Sequence, residues 1–237
     1  MLVSTMNDQE LTKAVWLDMA AIYKSSTIPR LRLEYDRERR KKKIRPESRY
    51  PRCFSIRSKA KNTWLIFMEK APIIPKYRND GDIAFHCVVY YFGPKGFTVF
   101  KPDDEEDKTL FVYQGHVFTR YCQRMQLHLP NPLDKIRHFF SHNAYADHRF
   151  VDRKDRRFSM GICRDGVLLG DYRKDVNWVF NRTFVNRDIF YKYQERAELE
   201  VMTETSAWAQ DVMSRKVPAE LILKKANTAH AIFCGTS

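Results

Sequence analysis

Apolar residues near the start of the chain recur at the spacing of one helical face: Leu11, Val15, Met19 and Ile22. Asn7 or Asp8 can cap this helix by accepting hydrogen bonds from its first backbone amides. Residues 25–29 interrupt the pattern. Residues 31–43 then form a second helical stretch that is dense in charge and poor in apolar residues. This composition predicts a helix that lies on a surface or projects from one.

Short runs rich in β-branched and aromatic residues follow, as is typical of strands: residues 63–69, 83–92, 97–101 and 110–113. The turn at residues 93–96 joins two of these runs into a hairpin. No long helix separates the runs, which favours antiparallel pairing over a doubly wound parallel sheet.

The second half of the chain predicts two helices and then further strands. The expected elements are helices at residues 116–127 and 132–143 and strands at residues 158–163, 167–172 and 177–184. Pro132 suits a helix start, and the dipeptide Asp165-Gly166 is a strong hairpin signal. From residue 186 onward the pattern is helical.

These elements together predict an α+β fold, in which an antiparallel sheet packs with helices and carries helical N- and C-terminal extensions. We expect a helical, strongly basic arm at residues 1–61, an α+β core domain at residues 62–185 and a helical extension at residues 186–237.

Positive charge is concentrated in one segment. The chain carries a net charge of +13, and residues 30–61 hold 14 basic and 4 acidic residues. Such a segment suits attachment to a polyanion, which is salt-dependent and largely blind to sequence. The predicted nucleic-acid contacts are Arg39, Arg40, Lys41, Lys42, Lys43 and Arg45. The alternative is a solvated charged helix without a partner, which the interleaved acids Glu34, Asp36 and Glu38 favour for the first half of the segment.

The five cysteines include no C-x-x-C pair, so the sequence predicts neither a disulfide framework nor a zinc ribbon. We find no signal-peptide pattern and no apolar run of the roughly 20 residues that a membrane span needs. We therefore expect a cytoplasmic protein without membrane contact. The usual motifs for phosphate loops, dinucleotide binding and serine hydrolases do not occur.

One polar stripe in the predicted helix 116–127 suits chemistry on a phosphate. His116, Arg120 and Arg124, in the stretch GHVFTRYCQRM, stand at i, i+4 and i+8 and so lie on one face. Gly115 lets the chain turn from strand into helix, and a helix N-terminus favours a bound anion. RNA cleavage by the ribose 2′-hydroxyl needs a proton acceptor near neutral pH and fixed positive charge, and no metal. The alternative is a polar face that only meets solvent.

The stretch HVFTRYCQRM resembles the H-x-x-x-R-x-x-x-R helix of one branch of the barnase–EndoU–colicin–RelE-like toxin ribonucleases. The resemblance implies metal-independent ribonuclease activity and a helix packed on an antiparallel sheet. His116, Arg120 and Arg124 match the motif, and Thr183 in RTFV corresponds to a small hydroxyl residue on a later strand of that branch. The stretch HVFTRYCQRM covers 10 of the 237 residues, and here four predicted strands precede its helix.

Three histidines offer a competing site. His138 and His142 are one turn apart on the predicted helix 132–143, which is a metal-ligand spacing, and His148 or Asp147 could add a third ligand. The glutamate of H-E-x-x-H is lacking, which excludes that protease class. The favoured alternative is structural, with one histidine capping the helix and the other packed beside phenylalanines. We predict no metal and no cofactor.

The favoured interpretation is a metal-independent, toxin-like or RNA-processing endoribonuclease. In it His116 transfers a proton, Arg120 and Arg124 hold the phosphate, and Thr183 orients it. RNA is the favoured partner, and an acidic protein partner or inhibitor is a second option. The alternative is a non-enzymatic nucleic-acid-binding or protein-interaction module that uses the basic arm.

Overall fold

The structure is a computed structural model, and it describes residues 1–41, 51–70, 83–94, 96–103, 108–153 and 156–186. Over these residues the chain forms four helices and nine strands. The helices are α1 Asp8–Lys24, α2 Thr27–Arg40, α3 Gly115–Arg124 and α4 Pro132–His142. The strands are β1 Arg52–Arg57, β2 Thr63–Lys70, β3 Ile83–Gly93, β4 Gly96–Pro102, β5 Leu110–Gln114, β6 Ala146–Arg153, β7 Arg156–Cys163, β8 Gly166–Arg173 and β9 Trp178–Asn186. The predicted α+β class is confirmed.

The strands of the described part form one sheet in the order β1-β2-β3-β4-β5-β9-β8-β7-β6. Two antiparallel meanders, β1 to β5 and β6 to β9, meet where β5 pairs with β9. That pairing is parallel, with Val112 opposite Phe180, so the sheet is mostly and not wholly antiparallel. The helices and strands between β5 and β9 supply the long crossover that a parallel pair requires.

Helices cover both faces of the sheet. Alternate residues of β2 enter different cores, Trp64 and Ile66 one of them and Leu65 and Phe67 the other, because successive strand residues point to opposite faces. The first core also contains residues of α1 and α2, and the second contains residues of α3 and α4. We call these sides the α1/α2 face and the α3/α4 face.

The start of α1 agrees with the predicted cap. The Asn7 side chain accepts from the Glu10 backbone N–H at 2.9 Å, and the Glu10 carboxylate accepts from the Asn7 N–H at 2.8 Å, which is a capping box. The predicted apolar face of this helix is buried: Leu11, Val15, Met19 and Ile22.

The charged helix α2 also packs on the sheet. Its buried residues are Ile28, Leu31 and Tyr35, so it lies on the surface of the sheet and does not project from it. Residues of α1 and α2 thus share a core with β2 to β5. The expected boundary after residue 61 does not coincide with a break in this packing.

Two strands, β1 and β6, have no counterpart among the predicted elements. They are the outermost strands of the described sheet, and their sequences RCFSIR and ADHRFVDR are polar and charged. Charge on an edge strand hinders pairing with another chain, and it also removes the apolar pattern that identifies a strand. Arg153 ends β6, and β7 begins at Arg156, two residues before the strand predicted at residues 158–163.

The predicted helical extension at residues 186–237 lies outside the described residues, apart from Asn186 at the end of β9. Within the described part of the chain, no helix has both the length and the apolar character needed to cross a membrane.

Candidate functional site

Helix α3 follows β5 without a loop, since Gln114 ends the strand and Gly115 begins the helix. A Cβ atom on Gly115 would lie 3.1 Å from the ring of Phe97, so the glycine allows a close approach of helix and sheet as well as a turn. The buried side of α3 consists of Val117, Phe118, Tyr121 and Cys122. The other side is the predicted polar stripe.

His116 and Arg120 lie side by side on the exposed side of α3. Nε of Arg120 donates to Nε2 of His116 at 3.3 Å, and Nη1 of Arg120 donates to Oε1 of Gln123 at 3.3 Å. Nε2 of His116 is thus the acceptor of the Arg120 hydrogen bond. Within the described ranges, Arg120 and Arg124 form no salt bridge with an acidic side chain, so their charges are not neutralised there.

The N-terminus of α3 has no side-chain cap and no acidic side chain that would compete with an anion. Its N-cap residue Gln114 makes no side-chain capping hydrogen bond, and its first turn contains no acidic residue. The first backbone amides of a helix have no partner within the helix, and together with the helix dipole they attract negative charge. His116 lies in this first turn.

Arg124 ties the end of α3 to β9. Its Nη1 donates to the backbone oxygen of Phe184 at 2.5 Å. A guanidinium group has five N–H donors, so this contact leaves donors for a phosphate. The structure thus brings three residues of the predicted site onto one side of α3, with Arg124 half-buried and His116 and Arg120 exposed.

Thr183 does not join this stripe. The ring of Phe184 lies in the α3/α4 core, 5.1 Å from the ring of Tyr121 between centroids, and its neighbour Thr183 is directed to the other face by strand alternation. The register of β9 skips Arg182, because Asn181 pairs with Gly170 and Thr183 with Leu169. This β-bulge reverses the alternation along the strand.

A second polar cluster lies where α3, α4 and the turn between β7 and β8 meet. The Tyr121 hydroxyl donates to Oδ2 of Asp165 at 2.9 Å and lies 3.1 Å from Nδ1 of His138. The Asn143 amide donates to the same carboxylate oxygen at 3.0 Å. Nδ1 of His142 lies 3.5 Å from that oxygen as well. One carboxylate therefore links two helices to the β7–β8 turn.

The electrostatics of this cluster favour neutral imidazoles around one carboxylate. The rings of His138 and His142 stack with centroids 4.2 Å apart. Burial lowers the pKa of both histidines, and Asp165 opposes this effect. Burial also raises the pKa of Tyr121, and the charge of Asp165 adds to the increase. The cluster packs the two helices together through satisfied hydrogen bonds.

The three histidines of the competing metal hypothesis do not meet in one place. The ring of His148 lies 4.6 Å from that of Phe111 between centroids, and its Nδ1 is 3.3 Å from Oγ of Ser159. Burial lowers the pKa of His148 to about 3, with Lys101 as a second cause. Among the residues that the structure describes, no group of three metal-ligating side chains is arranged to hold a metal ion.

The basic segment is described only in part. Arg39, Arg40 and Lys41 lie within the described residues, whereas Lys42, Lys43 and Arg45 lie outside them. Arg39 pairs with Asp36 at 3.4 Å. Arg40 and Lys41 are exposed at the end of α2 and form no salt bridge with any side chain of the described ranges. An interleaved acid thus neutralises one of the three described cations.

The aromatic residues of the β3–β4 hairpin mostly fill the cores. Phe97 packs on Phe118 of α3, with centroids 5.3 Å apart, while Phe92 is 61% exposed. Lys101 lies over the rings of Phe111 and Tyr145, and burial lowers its pKa. This arrangement favours core packing over stacking on nucleic-acid bases.

An open cavity of about 630 Å³ lies beside the polar stripe, between the end of α3 and the start of α4. Its lining consists of Thr119, Cys122, Gln123, Gln126, Leu127, His128, Leu129, Pro130 and Lys135. Gln123 belongs to both features, because its side-chain oxygen accepts from Arg120. Sequence reasoning missed this cavity, since it depends on how a loop folds back against two helices.

Comparisons with known proteins add no family to these observations: no protein-family model, no curated protein and no solved structure matches this chain.

Proposed function

We propose that this protein is a metal-independent endoribonuclease, toxin-like or RNA-processing, that acts in the cytoplasm. The observation that supports this most directly is the contact between His116 and Arg120 on the exposed side of α3, one turn from Arg124. This contact combines a proton acceptor with fixed positive charge, and phosphoryl transfer to the 2′-hydroxyl of the same RNA requires both. The open helix N-terminus beside His116 adds backbone donors for a phosphate.

In the proposed reaction the 2′-hydroxyl oxygen of RNA attacks the adjacent phosphorus. Its proton passes to Nε2 of His116, which Arg120 releases as its guanidinium turns to the phosphate, while the bond between phosphorus and the 5′-oxygen breaks. The departing oxygen takes a proton from solvent, and the imidazolium returns its proton to water. The products are a 2′,3′-cyclic phosphate and a 5′-hydroxyl. Arg120 and Arg124 stabilise the charge on the non-bridging oxygens.

The packing around α3 agrees with what the toxin-ribonuclease resemblance implies. A helix with the H-x-x-x-R-x-x-x-R pattern packs on the sheet at β9, β4 and β5, and Arg124 bonds to β9. We assign no phosphate contact to Thr183. Its strand neighbour Phe184 occupies the α3/α4 core, so Thr183 points to the other face.

The test is cleavage of a labelled RNA in excess EDTA by the wild type and by His116→Ala. We expect cleavage to a cyclic phosphate, and a loss of rate of about 100-fold or more in the variant, since positioned proton transfer contributes that much. Lys174→Ala, which removes an exposed cation from the β8–β9 turn, is the control and should cleave normally.

Two outcomes would count against these claims. If the wild type binds RNA and does not cleave it, the ribonuclease proposal is wrong. If His116→Ala cleaves at the wild-type rate, the enzyme exists but its site lies elsewhere. Thermal unfolding of each variant establishes that a loss of rate does not come from a loss of folding.

A second candidate is a non-enzymatic nucleic-acid-binding or protein-interaction module. Arg40 and Lys41 favour it, because they are exposed at the end of α2 and form no salt bridge with a side chain of the described ranges. Binding to single-stranded RNA should weaken with salt, and the double variant Arg40→Ala/Lys41→Ala should reduce the logarithmic salt slope by roughly 0.7 per lost phosphate contact. Absence of RNA binding at low salt would favour an acidic protein partner or inhibitor.

A further inference from the structure

The side chain of Lys101 ends against two aromatic rings on the α3/α4 face. Lys101 pairs with Phe111 across β4 and β5. Its Nζ lies 5.6 Å from the centroid of the Phe111 ring and 5.5 Å from that of Tyr145. Lys101 forms no salt bridge with a side chain of the described ranges. Ring faces therefore take the place of the carboxylate that usually accompanies a lysine withdrawn from water.

The surroundings of Nζ favour the neutral amine. Burial lowers the pKa of Lys101, and the charges of Asp103 and Cys87 oppose this effect. A lysine in an apolar site loses its proton more readily than one in water, because desolvation disfavours the ammonium ion. The neutral amine is the nucleophilic form, and desolvated lysines form Schiff bases with carbonyl compounds.

Two uncharged histidines border the same rings. The ring of His148 lies 4.6 Å from that of Phe111, and the ring of His86 lies 6.0 Å from that of Tyr145, between centroids. Burial, with Lys101 as a second cause, lowers the pKa of both to about 3, so both are neutral at pH 7. Nε2 of His86 is buried and has no hydrogen-bond partner in the described part of the chain. Such an atom is rare in folded proteins, and it leaves a polar group for a bound molecule.

The amine lies within reach of solvent. Lys101 and His148 are half-buried, and Tyr145 is 60% exposed. A molecule that enters beside Tyr145 meets flat aromatic surfaces next to Nζ. These surroundings suit a small, flat and uncharged molecule better than a bulky or charged one.

We propose that Lys101 is a reactive amine that forms an imine with a small, flat aldehyde or ketone. This reaction is independent of the proposed ribonuclease site. The nitrogen lone pair attacks the carbonyl carbon while the π electrons of the C=O bond move to oxygen, and one proton passes from nitrogen to that oxygen. The carbinolamine then loses its hydroxyl group and the remaining nitrogen proton as water, and the C=N double bond forms. The reaction consumes no oxidant and no reductant.

The test is labelling of the whole folded protein with benzaldehyde and sodium cyanoborohydride, which reduces the imine to a stable secondary amine. Peptide mass spectrometry measures the rate at each lysine. Lys101 should be labelled faster than Lys13 and Lys174, which are exposed. The ratio of the Lys101 rate to the Lys13 rate should increase from pH 9 to pH 7. An ordinary lysine, with a pKa near about 10.4, loses about tenfold of its neutral amine per pH unit over this range.

Variants and a second aldehyde complete the experiment. Lys101→Arg keeps a cation over the rings and should lose the fast label, whereas Lys13→Arg should lose only its own. Acetaldehyde lacks a flat ring and should give a smaller ratio of Lys101 to Lys13 labelling than benzaldehyde gives.

Three outcomes would overturn the inference. Labelling of Lys101 no faster than that of Lys13 and Lys174 in the wild type would show that the amine is not reactive. This comparison is made within one sample, so it does not depend on whether Lys101→Arg folds. A fast label that remains in a folded Lys101→Arg would place the reactive amine elsewhere. Equal ratios with the two aldehydes would show that the rings do not select a flat ligand.

Discussion

The two faces of the sheet bury polar groups in different ways. On the α1/α2 face a single carboxylate, Asp18, is 4% exposed. It accepts hydrogen bonds from Ser58, Asn62 and the indole of Trp64 at 2.7, 2.7 and 2.8 Å. These bonds connect α1 to β2 and to the turn before it, so this acid has a structural role.

The α3/α4 face holds the histidines. All six histidines within the described ranges lie on this side, on its helices, on the loop between them or against its aromatic rings: His86, His116, His128, His138, His142 and His148. Histidine is the side chain whose charge ordinarily changes between pH 5 and 8. One face is therefore held by a buried acceptor, and the other holds the histidines and the proposed chemistry.

The largest expected effect is a loss of stability on the α1/α2 face. Asp18→Ala leaves the buried donors of Asn62 and Trp64 and the half-buried Ser58 hydroxyl without their acceptor, and hydrogen bonds to a charged group contribute roughly 1.5–3 kcal/mol each. We expect the free energy of unfolding in urea to fall by about 4 kcal/mol. Asp175→Ala is the matched control, because its carboxylate is 64% exposed and a surface ion pair contributes about 0–1 kcal/mol. A loss of less than about 1 kcal/mol in Asp18→Ala would show that this carboxylate does not hold α1 on the sheet.

The next largest effect is the loss of stability on the α3/α4 face as the pH falls. Burial, with Lys101 as a second cause, lowers the pKa of His86 and of His148 from 6.5 to about 3. A lowered histidine pKa means that the folded state prefers the neutral ring, so this stability is present above pH 6.5 and is lost as the pH falls towards 3. At pH 5 each histidine should lower the free energy of unfolding by about 2 kcal/mol relative to pH 7.5, because one pKa unit corresponds to about 1.36 kcal/mol.

Urea unfolding of the wild type and of His148→Gln at both pH values checks this expectation. The variant should reduce the difference between pH 7.5 and pH 5 by about 2 kcal/mol, while His128→Gln, an exposed site, should not change it. An unchanged difference in His148→Gln would contradict the assignment of acid sensitivity to this face.

The smallest effect concerns the backbone at the end of α3. Gln126→Gly relieves the left-handed backbone at φ 54° and should raise the free energy of unfolding by about 1 kcal/mol. Urea unfolding of the wild type and of the variant measures this change. A variant that is no more stable than the wild type would show that this conformation is not strained.

Much of the fold follows from local patterns. The capping residue of α1, its buried face and the seven strands with apolar alternation were all predicted, because each depends on neighbours within a few positions. The edge strands β1 and β6 were missed, since charge replaces their alternation. The spacing of His116, Arg120 and Arg124 predicts that they lie on one face of α3, and in the structure His116 and Arg120 are in contact there.

Other features depend on residues that are far apart in the chain. Tyr121 meets Asp165 across 44 positions and Arg124 meets Phe184 across 60, and no periodicity relates such residues. The register of the sheet determines which face Thr183 points to. Val179 and Phe184 both enter the α3/α4 core because the bulge at Arg182 reverses the alternation along β9, and Thr183 therefore points to the other face.

The sequence by itself determined which helix carries the histidine and the arginines, because helical geometry repeats every few residues. Only the tertiary structure decided which groups meet that helix. In the folded protein Thr183 points to the other face of the sheet. The cluster of Asp165 and the histidines forms behind α3, and a cavity lies beside Gln123. Packing across a sheet follows from the whole set of apolar contacts, and a linear pattern does not contain that information.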